Sequence, residues 1–298
     1  MSFNQAVISV ENLRHSYGNT QALKGISFNI EKGRIYGLLG KNGAGKTTAI
    51  NIIMGFLKPT SGVVRVFGEE SSDLSPEIKR KTGLLHEGHL AYDFMTIAQT
   101  EHFYKGFYPD WDSKTFKYFT DKLGLPLNRK VKHMSCGQRS QVVLAALMAQ
   151  GAEVLILDDF SMGLDAGYRR LFIDRLNEFV KEGGKTVLIT SHIVQDLERF
   201  VDHAVIINKG EIKRSAPLSS IREGIYCYRL PENIDYRLME IQKEVMDISV
   251  NNGSVDIITS VAPQEAQDFF QGKLGAKTEF SLRDVSLEDA FIAITGKY

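Results

Sequence analysis

Residues 40–48 have the composition and spacing of a loop that binds phosphate groups. They match the pattern Gly-x-x-x-x-Gly-Lys-Thr, in which the glycines let the backbone wrap closely around a phosphate with its N–H groups pointing inward. We expect Lys46 to neutralise the β- and γ-phosphates and Thr47 to offer its hydroxyl to Mg²⁺. The predicted nucleoside triphosphate site therefore consists of Gly40, Lys41, Asn42, Gly43, Ala44, Gly45, Lys46, Thr47 and Thr48.

The segments on either side of this loop support the prediction. Residues 34–39 read as a buried strand that runs into the loop, and residues 48–54 read as a helix that leaves it. A helix in this position points its N-terminus, which carries a partial positive charge, at the bound anion. A chance match to the loop pattern would rarely have both neighbours.

Two adjacent carboxylates follow a second apolar strand. Residues 154–157 are Val-Leu-Ile-Leu, and Asp158 and Asp159 come directly after them. We expect Asp158 to hold Mg²⁺ through its water shell and Asp159 to polarise the water that attacks the γ-phosphate. The alternative is an acidic turn at the end of a strand, without a catalytic role.

Other polar residues stand where ligands often bind. Ser135, Gly137 and Gln138 precede an apolar helix, and together with the helix N-terminus they could form a second phosphate-binding surface. Without the other motifs, these three residues predict no more than a capped helix. His192 follows the apolar run 186–190, at the strand edge where α/β sheets bind ligands, although a single histidine is more often structural.

In their order and spacing, these motifs resemble those of the nucleotide-binding subunit of an ATP-binding cassette (ABC) transporter, over residues 5–222. Residues 40–48 are similar to its Walker A motif and residues 155–159 to its Walker B motif with the catalytic position. Residues 134–138 are similar to its signature motif, and residues 163–165 to its D-loop.

The resemblance implies ATP and Mg²⁺ as ligands and suggests a role for each matching residue. The implied catalytic residues are Asp159, His192 and Glu87, and the implied Mg²⁺ ligands are Thr47, Asp158 and Glu87. Tyr17 would stack on adenine, unless it is an ordinary aromatic of a surface turn. The remaining implied nucleotide contacts are Ser135, Gly137, Gln138 and Asp165.

Several residues depart from the family pattern. Asp159 stands where the family usually has Glu, and its side chain is shorter by one methylene, about 1.5 Å of reach. Cys136 replaces the first glycine of the signature, and Glu87 stands where Gln is usual. Lys41 is an additional cation in the phosphate loop, with a solvated side chain as the alternative interpretation.

The resemblance also implies partners. A second ABC subunit would pair head to tail with this one around two ATP molecules, and a transmembrane permease would carry the substrate. The segment 286–291 resembles the tail of export-type subunits, so we expect export and a cytoplasmic position at the inner face of the cell membrane. Two alternatives stay open: a slow or regulatory module of a heteromeric transporter, and an ABC ATPase without a role in transport.

The elements that position these motifs are those of an α/β protein. We expect a P-loop NTPase cassette over residues 1–222, with a RecA-like mixed sheet and a helical subdomain inserted at about 88–150. Residues 223–298 follow a β-α-β-β-α-β pattern, which predicts a small ferredoxin-like domain. In that domain we expect helices over 234–245 and 263–272, and a last strand over 277–282.

Composition excludes some classes of protein. The formal net charge of the 298 residues is +0 and no basic stripe is visible, so we expect no nucleic acid partner. The two cysteines, Cys136 and Cys227, have neither metal-ligand nor disulfide-framework spacing. No run of 18 apolar residues occurs, which argues against a membrane span.

Overall fold

The structure is a computed structural model that describes residues 6–161, 163–190, 194–251, 253–275 and 278–296. The first elements are β1 (Ala6–Tyr17), β2 (Thr20–Glu31), β3 (Ile35–Leu39), α1 (Lys46–Ile53), β4 (Ser61–Val66), β5 (Glu69–Glu70), α2 (Pro76–Lys81) and β6 (Thr82–Leu85). They are followed by α3 (Ile97–Lys105), α4 (Ser113–Asp121), α5 (Cys136–Ala149), β7 (Val154–Leu157), α6 (Ala166–Gly183), β8 (Thr186–Ile189) and α7 (Val194–Leu197). The last are β9 (His203–Asn208), β10 (Glu211–Pro217), β11 (Tyr226–Pro231), α8 (Arg237–Glu240), β12 (Val245–Asn251), β13 (Ser254–Thr259), α9 (Pro263–Leu274), β14 (Ser281–Arg283) and α10 (Leu287–Thr295).

A six-stranded, mostly parallel sheet forms the centre of the molecule, in the order β10-β9-β3-β8-β7-β6. Strands β3, β7 and β8 are buried on both faces, as their continuous apolar sequences predict. All pairs are parallel except the predicted hairpin β9–β10. Because parallel strands end at the same edge of a sheet, the phosphate loop after β3 and the carboxylates after β7 lie near each other.

A second sheet, β2-β1-β4-β5, is antiparallel and packs against α1 through a shared apolar cluster. The predicted helical insertion is confirmed as α3, α4 and α5 between β6 and β7. Its aromatic residues divide into two groups. Phe116 and Phe119 are buried in its core, whereas Tyr92, Phe94 and Phe107 are exposed.

The C-terminal residues form a third, antiparallel sheet in the order β12-β13-β11-β14. The elements follow the predicted β-α-β-β-α-β order, and the sheet has its own apolar core around Tyr228 and Phe270. Helix α10 then returns to the first part of the chain. Leu287 is fully buried in the same cluster as Ile221, and the Asn208 side-chain amide donates to the Thr295 carbonyl at 2.9 Å. The domain boundary after residue 222 stays a prediction.

Two predictions about local structure in this part are wrong. The helix expected over 234–245 is limited to the four residues of α8, because Val245 already begins a strand that pairs with β13. Residues 234–245 include several good helix formers, so strand pairing at Val245 overrides the local helix propensity here. The strand expected over 277–282 is limited to β14, and Lys277 lies outside the described residues.

No helix in the described part of the chain is long and apolar enough to cross a membrane.

Candidate active site

The loop between β3 and α1 encloses a cavity of about 450 Å³. The backbone angles and close contacts of this loop require glycine at two positions. Gly45 has φ +107°, and a Cβ atom there would lie 2.7 Å from Leu23 Cδ2. A Cβ on Gly40 would lie 2.5 Å from the Ile207 carbonyl oxygen. The cavity is lined by Tyr17, Ala22, Asn42, Gly43, Ala44, Gly45, Lys46, Thr47, Thr48, Glu87, Asp158 and Thr190.

Lys46 begins α1 and folds back over its own loop. Its ammonium donates to the Gly40 carbonyl at 2.7 Å and to the Lys41 carbonyl at 3.1 Å. Burial lowers the pKa of Lys46, and the nearby carboxylates of Asp158, Glu87 and Asp159 act in the opposite direction. No side chain among the described residues caps the N-terminus of α1, so the N–H groups there and the Lys46 ammonium together form a site for an anion.

Asp158 connects three segments of the chain. One carboxylate oxygen accepts from the Thr47 hydroxyl at 3.1 Å, and the other accepts from the Thr190 hydroxyl at 2.6 Å. The side chain is almost fully buried and lies at the wall of the cavity. A hydroxyl and a carboxylate are oxygen donors that suit Mg²⁺, which usually completes its shell with water and phosphate oxygens. The residues present therefore fit the predicted cation.

Glu87 and Tyr17 also line the cavity, as the sequence predicted. Glu87 follows β6, the neighbour of β7 in the central sheet, and Tyr17 ends β1. The Tyr17 ring is about half exposed and packs edge-on against His15, with ring centres 4.6 Å apart. An exposed aromatic face next to the phosphate loop suits a planar base.

Asp159 has a different environment from Asp158. Its φ is +50°, a left-handed conformation that non-glycine residues rarely adopt. Side chains from the described residues contact its N–H, its carboxylate and its carbonyl oxygen. The Thr190 hydroxyl accepts from its N–H at 3.0 Å, the Ser161 hydroxyl donates to its carboxylate at 3.2 Å, and His89 Nε2 lies 3.4 Å from its carbonyl oxygen.

The signature residues Ser135, Gly137 and Gln138 are not among the residues that line the cavity. Ser135 and Gln138 form a reciprocal capping box at the N-terminus of α5, with hydrogen bonds of 3.2 and 3.0 Å. A Cβ on Gly137 would lie 2.6 Å from the Gly163 carbonyl oxygen, so the signature packs closely on the D-loop. Asp165 caps α6 by accepting from Tyr168 N–H at 2.9 Å. The structure thus does not bring these residues together with the phosphate loop within one chain.

The sequence also predicted Lys41 and His192 as site residues. The Lys41 ammonium donates to the carbonyl oxygen of Gly296, at the end of α10, and Lys41 is not among the cavity-lining residues. Its role in nucleotide binding stays a prediction. His192 lies outside the described residues.

Sequence reasoning did not assign a role to Thr190, Ser161 or His89. The position of Thr190 at the end of β8, one strand from β7, was a usable signal, because polar groups at adjacent strand ends meet. His89 had a comparable signal in its position four residues after β6. Nothing in the sequence indicated that its ring reaches Asp159.

Taken together, the site can hold a polyphosphate on backbone N–H groups and an ammonium, with a cation beside Thr47 and Asp158. Asp159, the predicted catalytic residue, follows Asp158 in the chain but is buried and is not among the residues that line the cavity. This set of groups is that of phosphoryl transfer to water.

Comparison with known proteins agrees with this chemistry. Residues 23–161 match the family described as "ABC transporter". The bacitracin transport ATP-binding protein BcrA of Bacillus licheniformis is 28% identical, over 97% of each chain. The Nod factor export ATP-binding protein I of Ralstonia nicotianae is 30% identical, over 74% of this chain and 70% of that protein.

A solved structure also resembles this chain in fold. A dimeric ATP-binding cassette in a post-hydrolysis state, bound to ADP and Pi, is 25% identical to this chain. The two superpose with a TM-score of 0.63 over 71% of this chain and 98% of that one. The matched region has the cassette fold.

Proposed function

The chain belongs to the ABC transporter family as an ATP-binding and ATP-hydrolysing subunit, and we propose that it powers export of a substrate through a separate permease. The relative named for Nod factor export supports this direction, and the relative named for bacitracin transport supports a role in transport. The proposed substrate is accordingly a peptide, a drug or a lipid-like molecule. The observation that carries the proposal is the convergence of Lys46, Thr47 and Asp158 on one cavity.

We assign the binding of the triphosphate to the phosphate loop. The Lys46 ammonium and the N–H groups at the start of α1 would bind the β- and γ-phosphates. Thr47 and Asp158 would hold Mg²⁺, which neutralises charge on the phosphate oxygens when bound. Tyr17 would stack on the base.

Asp159 is proposed as the general base. It would accept a proton from the water that attacks the γ-phosphorus, while the bond to the β–γ bridging oxygen breaks and ADP leaves. Its carboxylate is short and also accepts a hydrogen bond from Ser161. This hydrogen bond fixes the orientation of a carboxylate whose reach is already short, so we expect slow turnover and a long-lived ATP-bound state.

A second subunit is proposed to complete each site, because Ser135, Gly137 and Gln138 do not line the cavity of their own chain. In a head-to-tail pair, the signature of one chain would cover the phosphate loop of the other. ATP would then bind the closed pair better than the open pair, and hydrolysis would release it.

The permease is proposed to dock beside the segment that follows β6. Leu90, Tyr92 and Phe94 expose apolar surface there, next to a cavity of about 300 Å³ in the helical insertion. An apolar helix in such a groove is a common mode of recognition. The subunit would then lie peripherally at the inner face of the membrane.

Mixed variants of the full chain test the site and the pairing together. Lys46→Ala removes the phosphate contact, and Ser135→Arg blocks the signature. Each alone should be inactive. Because a head-to-tail pair of the two variants has one intact site, a mixture should recover up to about a quarter of the wild-type phosphate release. Absence of any recovery would contradict the head-to-tail arrangement.

Membrane association tests the proposed docking surface. A double variant, Leu90→Ser with Phe94→Ser, should lose sedimentation with membranes in cells that contain the permease, while its affinity for ATP is unchanged. The control is Ile241→Ser, an exposed apolar residue in the C-terminal part of the chain. Unchanged sedimentation of the double variant would contradict docking at this site.

A further inference from the structure

His89 is a buried histidine close to the reacting groups, and the chemistry proposed above does not use it. It is 2% exposed and lies at the end of the turn that follows β6. Its Nε2 atom is 3.4 Å from the Asp159 carbonyl oxygen, across 70 residues of sequence. This contact joins the segment that contains Glu87 to the proposed general base.

The turn itself directs the ring toward Asp159. His89 N–H donates to the His86 carbonyl at 3.1 Å, and Gly88 has φ +88°, as the third residue of a type II turn requires. His89 follows with φ +48°. The chain therefore reverses within four residues after β6 and carries the imidazole over the end of β7, the adjacent strand.

The hydrogen-bond roles follow from the acceptor. A carbonyl oxygen can only accept, so Nε2 carries the hydrogen of this contact. Burial lowers the pKa of His89 and so favours the neutral ring, in which Nδ1 then carries no hydrogen. Nδ1 is buried and has no hydrogen-bond partner among the described residues. Burial of an imidazole with one unpaired nitrogen is unfavourable, so apolar packing alone would suit a leucine or phenylalanine better here.

Asp159 needs such a contact because its backbone is strained. Its left-handed φ persists only where surrounding groups hold it, and strain of this kind is common at active sites. The Thr190 hydroxyl accepts from the N–H of this residue, Ser161 donates to its carboxylate, and His89 contacts its carbonyl oxygen. The distance of 3.4 Å is long, and hydrogen bonds at catalytic sites often shorten in the reacting complex.

We propose that His89 is a positioning residue for ATP hydrolysis: its Nε2–H holds the Asp159 peptide, so that the turn with Glu87 and the general base move together. This inference rests on the proposed role of Asp159 as the base. It implies that a movement of the segment between the central sheet and the helical insertion would shift the Asp159 carboxylate.

Two variants of the full chain separate the hydrogen bond from the volume of the ring. His89→Gln keeps an N–H donor with a reach similar to that of Nε2, and His89→Leu has comparable bulk but no donor. Both place a non-glycine residue at the same φ, so backbone strain is matched. His102→Leu, at an exposed position on α3, is the control for loss of a histidine.

Steady-state phosphate release and ATP affinity are measured for each variant. His89→Leu should lower kcat about tenfold, which corresponds to about 1.4 kcal/mol, with KM and ATP affinity within about twofold of wild type. His89→Gln should retain most of kcat. In an Asp159→Asn background, His89→Leu should have no further effect, because the group that it positions is absent.

Two results would overturn the inference. One is an equal loss of kcat in His89→Gln and His89→Leu, which would indicate packing rather than a hydrogen bond. The other is wild-type kcat in His89→Leu. If His89→Leu does not fold, a comparison of His89→Gln with the shorter His89→Asn decides, since only Gln reaches the carbonyl. Full activity of Asp159→Asn would instead contradict the role of Asp159 itself.

Discussion

The two halves of the site, the phosphate loop and the surroundings of Asp159, are built in different ways. The phosphate loop is nine consecutive residues, and its shape comes from its own glycines and from the strand and helix beside it. Asp159 is held by His89, Ser161 and Thr190, and two of these belong to distant segments. The comparison indicates that nucleotide binding depends on local sequence and that hydrolysis depends on tertiary contacts.

The two halves also differ in how their charged groups are satisfied. Lys46 is buried but donates to two carbonyls of its own loop. A bound phosphate would bring a negative charge next to its ammonium. Asp159 uses its carboxylate, N–H and carbonyl in contacts within the chain, before any substrate binds. We therefore expect variants of the loop to change affinity and variants around Asp159 to change rate.

The largest expected effect distinguishes the two lysines of the loop. Lys46→Ala should weaken ATP binding between about 10²- and 10⁴-fold, because it removes two charge-assisted contacts to phosphate. Lys41→Ala is the matched control and should bind nearly as wild type, since its ammonium contacts the Gly296 carbonyl. Equilibrium titration with a fluorescent ATP analogue measures both. Equal losses in the two variants would show that Lys41 also binds phosphate.

The second prediction concerns the rate at Asp159. Asp159→Asn should lower turnover to a residual rate, a loss of about 10²-fold or more, because the amide cannot accept the proton of water. Asp159→Glu should raise turnover, because the added methylene restores reach. Neither should change ATP affinity much. Steady-state phosphate release decides, and brisk wild-type turnover with no gain in Asp159→Glu would show that Asp is a fully competent base here.

A third prediction addresses Thr190, which contacts both halves of the site. Thr190→Val leaves the buried Asp159 N–H without its acceptor and should lower stability by about 1–3 kcal/mol. It also removes the donor to Asp158, so ATP affinity in the presence of Mg²⁺ should fall. Thr190→Ser keeps the hydroxyl and should be close to wild type in both respects. Denaturant unfolding and ATP titration, with and without Mg²⁺, measure these effects. If Thr190→Val keeps normal stability, this hydroxyl does not hold Asp159.

The smallest expected effect is a dependence of ATP binding on pH. Because burial lowers the pKa of Lys46, its ammonium is present below that lowered pKa and is lost as the pH rises through it. Affinity for ATP should therefore begin to fall at a lower pH than the ordinary lysine value of 10.5 would predict. Lys46→Arg remains charged and should show a flatter profile between pH 7.5 and 9.5, each variant being compared with its own affinity at pH 7.5. Parallel profiles would show that another group is responsible.

The C-terminal part offers a further contrast between expectation and structure. The pattern of strands was predicted correctly in order, because alternation of apolar residues and the turn signals are local. The lengths of α8 and β14 were predicted wrongly, because they depend on pairing between neighbouring strands. The return of α10 to the first part of the chain, with Leu287 in its core, depends on where the third sheet lies and has no local signal.

The sequence by itself determined the fold class, the phosphate loop and the order of the motifs. These follow from contiguous residues: glycines that permit a tight loop, apolar runs that form buried parallel strands, and an acidic pair at the end of one of them. It did not determine which side chains meet at Asp159 or that Lys41 contacts the end of α10. Those contacts join residues 70 and 255 positions apart, so only the packing of strands and helices brings them within hydrogen-bond distance.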